Sequence, residues 1–468
     1  MAISDEVALW SAARQAAGVR SGEFSSRELV ELMIRRSARI NPTINAIIRL
    51  ETDAALAAAD EADRQLAAGE IVGPLHGVPM TIKDALETKG VTSTGGAVEF
   101  RDRVPADDAP VVKALKDAGA ILLGKTNLPR WSGDAQTFND IFGTTVNPWN
   151  TERVPGGSSG GAAAAVATGM TAFDFGTDIG GSIRFPSSYC GVFGHKPSWG
   201  IVPSTGYLDY EEGGTTEADV NVIGPIARSA DDLELLLNIV LRKSGPLQAV
   251  LSPPPENLKS LKVAAWLDDP FCPVDNKTTA VMQAAVDKLE AAGINVNRTE
   301  RPDLDPQHAS DLGIWLVSAA LSQSMPAEAM EGTDSDNALG GATHRQWLDM
   351  HREREQLRAR WAEFFASYDA VLMPISFVPP FVHTQDGHLG TRTLLCNGEQ
   401  RPYIDLFRWT NLTGMAYLPS SVPPLGLDTD GLPIGLQVVG PYGGDYTTIR
   451  LAGLIADLCG GIKAPPLA

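Results

Sequence analysis

The first 70 residues read as helices. Leu29, Leu32 and Met33 recur at helical spacing, and Ser25 with Glu28 forms a capping box just ahead of them. Residues 51–69 are Ala-rich and acidic, a strong helix former with a mostly polar outside. From about residue 75 the pattern changes to short strands, Gly-rich loops and helices. Val78, Met80 and Ile82 alternate, which puts Thr81 and Lys83 on the opposite face of a strand. Asp107 or Asp108 caps a helix that has Pro110 in its first turn and runs to Gly119; Ala120–Leu123 then read as a strand. Thr171–Thr177 is strand-like, and Asp430-Gly431 signals a turn ahead of a buried-strand pattern from Leu432 to Val439. Residues 250–260, around Pro253, Pro254 and Pro255, read as a long surface loop, because the later segments look like more of the same sheet. Alternating helix and strand argue for α/β architecture, organised as one domain over 1–468 with inserted surface segments and no internal repeat.

Composition narrows the class. The 468 residues are 43% apolar and 20% charged, as in a soluble globular protein able to bury a large core without disulfide or metal staples. A net charge of −19 disfavours a phosphate backbone as partner. Arg352, Arg354, Arg358 and Arg360 alternate with Glu353 and Glu355, which reads as a solvated helix face rather than a basic patch. Cysteines at 190, 272, 396 and 459 form no Cys-x-x-Cys pair and no zinc spacing, so free thiols in a reducing compartment are expected. Met1–Trp10 carries Asp5 and Glu6 without an apolar run, unlike a secretory signal. With no run of ~18 apolar residues, no membrane span is expected. A cytoplasmic enzyme is the expectation.

The candidate chemistry lies in three segments. Two serines 24 residues apart each sit among glycines, in Gly156-Gly157-Ser158-Ser159-Gly160-Gly161 and in Gly176-Thr177-Asp178-Ile179-Gly180-Gly181-Ser182-Ile183-Arg184. A lysine 75 residues before the first serine ends Gly77-Val78-Pro79-Met80-Thr81-Ile82-Lys83. Each piece has a bland reading alone: a solvated lysine, a flexible loop, a turn. Together they supply what amide cleavage needs without a histidine. Ser182 is the nucleophile, Ser158 the proton relay and Lys83 the base, provided burial or a nearby positive charge keeps Lys83 neutral. Backbone N–H groups of Ile179, Gly180, Gly181 and Ser182 converge as oxyanion donors. Asp178 and Arg184 flank the nucleophile as an ion pair shaping its loop, and Thr177 and Ser159 orient the relay. Gly156-x-Ser158-x-Gly160 also fits a nucleophile elbow, but the preceding Asn147–Pro155 is loop-like rather than an apolar strand. A phosphate loop lacks its Gly-Lys-Ser/Thr ending. His195 reads as a hydrogen-bonded structural histidine and Cys190 as a small buried residue.

This arrangement resembles the Ser-Ser-Lys site of the amidase signature family: lysine base, bridging serine in a cis peptide, serine nucleophile. The resemblance extends to Gly124-Lys125-Thr126-Asn127, Asn147-Pro148-Trp149, Arg184-Phe185-Pro186, Lys196-Pro197, Gly224-Pro225, Asn411-Leu412-Thr413-Gly414 and Gly431-Leu432-Pro433-Ile434-Gly435-Leu436-Gln437. It is strongest in a core over 70–240, follows the N-terminal helices of 1–70, and covers nearly the whole chain. His195 and Ser198 stand where the family usually has leucine and threonine. The segments 131–142, 204–216 and 300–345 diverge, and the last is the candidate variable pocket or lid segment. Their Trp131, Phe138, Tyr207, Tyr210, Trp315 and Met325 are candidates to line an apolar pocket.

The resemblance implies a central mixed sheet wrapped by helices, and an acyl-enzyme mechanism with no metal or organic cofactor. It also implies a small-molecule amide, anilide or carbamate as substrate, resembling aryl acylamidase-like, urethanase-like and fatty-acid-amide-hydrolase-like members, with esterase side activity. Neither nucleic acid nor membrane is expected as partner, and the chain is expected as monomer or homodimer. The rival readings are a glutamine-hydrolysing subunit of a tRNA-dependent amidotransferase and a non-catalytic scaffold retaining the fold.

Overall fold

The computed structural model describes residues 3–208, 214–243, 248–322 and 342–468. The helical N-terminal region forms α1 (Ala12–Ser21), α2 (Ser26–Ile44) and α3 (Thr52–Ala67). The capping box is present: Glu28 N–H donates to Ser25 Oγ at 3.0 Å, and Ser25 N–H donates to the Glu28 carboxylate at 2.9 Å. Such a cap contributes about 1 kcal/mol. One strand, β1 (Ile47–Leu50), interrupts the helices and pairs antiparallel with β3 (Ile121–Thr126). The alternating segment around Met80 is β2 (Pro79–Lys83), parallel to β3. Its two faces are both buried, so Thr81 and Lys83 point into a second interior and not toward water.

The helix begun by Pro110 is α4 (Pro110–Asp117), and its cap differs from expectation. Ala109 occupies the N-cap, while Asp108 accepts from Lys89 N–H at 2.8 Å and from Lys116 Nζ at 2.8 Å. A nearby amide and ammonium outcompete the helix end for that carboxylate.

A mixed eight-stranded sheet forms the centre of the α/β domain. Its strands are β4 (Asp174–Asp178), β5 (Phe193–Lys196), β6 (Val222–Ala227), β7 (Lys262–Ala265), β8 (Asn295–Asn297), β9 (Ala370–Met373), β10 (Ser420–Val422) and β11 (Gln437–Val439). Their spatial order is β8-β7-β9-β11-β10-β5-β6-β4; β7 pairs parallel with β8 and β9, and the other pairs are antiparallel. The 250–260 loop does lead into this sheet through β7. The strand pattern over 432–439 divides instead: Pro433–Gly435 forms a separate hairpin with Pro424–Leu427, and only Gln437–Val439 joins the main sheet.

The small sheet abuts the edge strand of the large one. Thr81 N–H donates to Phe173 O at 3.3 Å and Ala172 N–H to Pro79 O at 3.4 Å, so β2 runs alongside β4. Helix α5 (Gly160–Ala167) fills the space behind this seam, and every one of its residues is buried. Its Gly and Ala content permits that depth. A Cβ on Gly161 would lie 2.5 Å from Asn127 N and 2.7 Å from Ala46 O, so the helix touches backbone there.

Further helices α6 (Arg184–Cys190), α7 (Ala230–Val240), α8 (Asn276–Ala291), α9 (Pro306–Ser322), α10 (His344–Phe365), α11 (Arg408–Gly414) and α12 (Asp445–Leu458) wrap the sheet. The arginine-rich face on α10 is only partly solvated. Arg354 shares a stripe with Leu357, Trp361 and Phe364, all buried. Its guanidinium donates to Asp219 at 2.7 Å and lies 4.6 Å from the Tyr417 ring centroid. The apolar stripe, not the local Glu/Arg alternation, decides its environment. Among the described residues, no helix is long and apolar enough to cross a membrane, and all four cysteines are free thiols.

Gly161→Ala is expected to cost about 1–3 kcal/mol through overpacking against rigid backbone. Urea denaturation monitored by tryptophan fluorescence checks it; an unchanged midpoint would show that α5 can shift.

Candidate active site

Lys83 ends β2 at the seam between the sheets and is fully buried. Its Nζ lies 2.6 Å from Ser158 Oγ and 2.7 Å from Thr177 Oγ1. Burial pulls its ammonium down to about 7, and the negative charges of Asp178 and Asp174 only partly oppose this. As an ammonium Lys83 donates to both hydroxyls; once neutral, its lone pair can accept from one of them.

Ser158 follows a cis Gly157-Ser158 peptide bond. Residues 134–137 cradle this loop. Thr137 Oγ1 donates to Gly156 O at 2.9 Å and accepts from Gly160 N–H at 3.1 Å. A Cβ on Gly157 would sit 2.5 Å from Gln136 O, which leaves room for glycine alone. The cradle is itself anchored: Asp134 pairs with Arg392 at 2.5 Å and accepts from Tyr403 OH at 2.6 Å.

Ser182 stands at the mouth of the loop after β4, 8% exposed. Ser159 N–H donates to Ser182 O at 3.2 Å, which joins the two serine loops through backbone. Ser159 Oγ in turn accepts from Thr177 N–H at 3.3 Å. No hydrogen bond joins Ser182 Oγ to Ser158 Oγ among the described residues.

The nucleophile loop is shaped by the expected Asp178–Arg184 pair, 2.9 Å apart with both side chains fully buried. Asp178 accepts from Gly181 N–H at 2.8 Å and Ile183 N–H at 3.1 Å. Burial would raise its carboxyl, but Arg184 and these donors more than compensate and hold it below the ordinary carboxylate range. Arg184 also donates to Thr410 O, Thr413 Oγ1 and Gln437 Oε1, each at 3.0 Å. Thr410 Oγ1 donates to Gly180 O at 2.6 Å. The Gly180–Gly181 peptide is therefore held at both ends. Gly181 N–H, expected as an oxyanion donor, is turned toward Asp178 instead. The N–H groups of Ile179, Gly180 and Ser182 have no protein acceptor among the described residues.

The aromatic residues expected to line a pocket are dispersed. Trp131 is buried edge-on to Phe100, ring centroids 5.1 Å apart, and covers Gly95. Tyr207 pairs with Leu86 by a β-bridge and packs on the small-sheet core. Phe138 lies 5.9 Å from the Arg392 guanidinium, behind the Ser158 loop. Trp315 sits half-buried on α9 against the main core. Tyr210 and Met325 lie outside the described residues, as does most of 300–345 beyond Ser322. The rings that touch the nucleophile loop are Phe185, over Gly181, and Phe407, which a Cβ on Gly180 would meet at 3.3 Å. Phe185 and Phe407 pack edge to face at 5.8 Å, and the row continues through Tyr189, Phe381 and Tyr403. The signal for Phe185 lay inside the Arg184-Phe185-Pro186 motif; Phe407, four residues before Asn411, had none.

The bland expectations fit. His195 is fully buried, its Nδ1 2.9 Å from Ser421 Oγ and its Nε2 3.0 Å from Asp445 Oδ1. Burial raises the Cys190 thiol far above its ordinary value, so it is inert.

A family model described as Amidase matches residues 28–449. The chain belongs to the amidase signature family. As a member it is a hydrolase of C–N bonds. An indoleacetamide hydrolase of Bradyrhizobium diazoefficiens is 32% identical, covering 92% of this chain and 83% of that one. A glutamyl-tRNA(Gln) amidotransferase subunit of Synechococcus sp. is 33% identical, covering 90% of this chain and 91% of its own. A bacterial aryl acylamidase structure superposes on this amidase with a TM-score of 0.84 at 27% identity, over 96% of both chains.

Asp178→Asn leaves the Arg184 charge buried without its counter-ion. We expect a loss of about 3–5 kcal/mol in urea denaturation, partly recovered in the Asp178→Asn/Arg184→Met double variant. Additive losses would show that the two groups are not coupled.

Proposed function

We propose that this chain is a stand-alone serine amidase acting on amides, anilides or carbamates that carry an apolar or aromatic group, through a Ser182 acyl-enzyme. The observation that carries this reading is the 2.6 Å contact of a buried, readily neutral Lys83 with Ser158, one loop away from a largely buried Ser182 that retains 8% exposure. Ser182 Oγ attacks the carbonyl carbon and gives its proton to Ser158, whose own proton passes to Lys83 Nζ. The oxyanion draws on the N–H groups of Ile179, Gly180 and Ser182. The proton then returns through Ser158 to the departing nitrogen as the C–N bond breaks. Water, deprotonated by the same relay, hydrolyses the ester and restores Ser182. Every group needed is a side chain or amide of this chain.

The substrate class is supported by the aromatic row beginning at Phe185 and Phe407 beside the nucleophile loop. Of the relatives, one is an indoleacetamide hydrolase and one an aryl acylamidase. A carbamate presents the same acyl carbon between oxygen and nitrogen, so urethane cleavage belongs to this proposal, and esters follow from their easier leaving group.

A second reading, the glutamine-hydrolysing subunit of an amidotransferase, is favoured by relatives of that name at similar identity. Glutamine brings an α-ammonium and an α-carboxylate, which need ionic partners. Near the nucleophile loop, Arg184 is paired with Asp178, and Arg408 with Asp405 and Asp311. These charges are already matched, which weighs toward an uncharged substrate.

Aryl-amine release from a matched anilide and aryl carbamate should occur with wild type and vanish in Ser182→Ala. Release by Ser182→Ala would overturn the mechanism, and release by neither protein would favour the second reading. A fluorophosphonate probe that fails to label wild type would favour a non-catalytic scaffold. With chemistry limiting, kcat/KM should rise with pH through about 7, as Lys83 loses its proton, and then level off. A flat profile would remove Lys83 as the base.

A further inference from the structure

The proton relay leaves one buried acid beside the base without a task. Asp174 lies on β4, three residues before Thr177, and is fully buried. Its Oδ2 accepts from Thr81 Oγ1 at 2.6 Å and from Thr126 Oγ1 at 3.0 Å. Its Oδ1 is buried and has no hydrogen-bond partner among the described residues. Three strands thus meet at one carboxyl: β4 carries it, β2 reaches it from Thr81, and β3 from Thr126. Lys83, two residues after Thr81 on β2, presents its backbone N–H to the same carboxyl and its Nζ to Thr177.

A carboxylate with an unpaired oxygen in a dry interior is costly unless a cation compensates it. The charged groups around it are Lys83 on β2 and Asp84 just after it, Lys125 on β3, Asp178 on β4 itself, and Arg184 on α6. Arg184 is committed to Asp178. Lys125 donates to Leu86 O, Thr88 Oγ1 and Ser93 Oγ and stands 3.9 Å from Asp84. The spans of β6 and α5, packed on β4, contain no titratable side chain. Lys83 is therefore the cation whose charge changes during the reaction. Burial pushes the Asp174 carboxyl up to about 7, against its threonine donors, while burial pulls Lys83 down to about 7. The Asp174 charge raises Lys83, while the charge of Lys125 holds the Asp174 carboxyl down.

We propose that Asp174 is a positioning residue of the reaction: its charge balances the ammonium that Lys83 becomes on taking the serine proton, and its neutral form leaves Lys83 free as a base. This rests on the reading of Lys83 as the base. The second lysine network, around Lys125, ties β3 to the segment after β2 through Leu86, Thr88 and Ser93, and its charge bears on Asp174 from the other side.

Asp174→Asn keeps the shape and an acceptor oxygen for the threonines but carries no charge. The test is kcat/KM for p-nitroacetanilide across the neutral and alkaline range, for wild type, Asp174→Asn and Lys83→Ala. In Asp174→Asn the rising limb should move to lower pH by about one unit, with a lower plateau, as expected of a weaker base. A purely structural role would lower the plateau and leave the limb in place, and that result overturns the proposal. Thr126→Val removes one donor to the carboxylate and should move the limb in the same direction by less. This variant decides the matter if Asp174→Asn does not fold, and an unmoved limb there counts equally against the proposal. A wild type with no rising limb overturns both this proposal and the base reading. A wild-type limb that is lost in Lys83→Ala yet unmoved in Asp174→Asn overturns this one alone.

Discussion

The buried pair of Asp178 and Arg184 is the constraint on which the site's geometry rests. Neither charge reaches water, so each is stable only while the other stays in place. Asp178 gathers the amides of the nucleophile loop, and Arg184 ties that loop to α11 and to Gln437 of the central sheet. With Thr410 holding Gly180 O from the other side, the loop has little freedom to relax. The N–H groups of Ile179, Gly180 and Ser182 are left without a protein acceptor among the described residues, while that of Gly181 is taken by Asp178. A tight turn of glycines would otherwise be among the more mobile parts of a chain; here it is clamped by a charge pair.

The second constraint is dryness. The proposed role of Lys83 as a base at neutral pH depends on burial outweighing the nearby charges of Asp178 and Asp174. The small residues of α5 close the seam behind it, and the Gly157 loop is pressed against residues 134–137 in front. Packing with no direct part in the proposed chemistry thus sets the proton affinity of Lys83. The row of aromatic rings from Phe185 to Tyr403 continues this apolar environment away from the nucleophile loop.

Much of this was legible from the chain alone, and the limits have physical causes. The Ser25 cap, the α3 helix and the β2 alternation are local signals, and each appears where the pattern put it. Lys83, Ser158 and Thr177 were found through spacing and resemblance, and Lys83 meets both of the others within hydrogen-bond distance. What local patterns missed depends on partners distant in sequence. Arg354 is buried because Tyr417 and Asp219 await it, Gly181 N–H is claimed by Asp178, and Asp108 is diverted from its helix by Lys89 and Lys116. The aromatic residues of the divergent segments were grouped by composition, but composition does not say which ring faces the nucleophile. The rings found against Gly181 and Gly180 are Phe185 and Phe407, one inside a motif and one unmarked.

Lys83 belongs to the three-stranded sheet, whereas Thr177 and the Ser182 loop belong to the eight-stranded one. The proposed proton path therefore crosses a joint between two sheets, bridged by backbone hydrogen bonds from β2 to residues 172–173 and backed by α5. A hydrogen bond of 2.6 Å tolerates far less displacement than a hydrophobic contact does. Slippage of a fraction of an ångström along that joint would leave both cores intact and every helix in place, yet disconnect the base from the serine. Under the proposed mechanism, catalytic competence in such an architecture is a vernier on the alignment of the sheets.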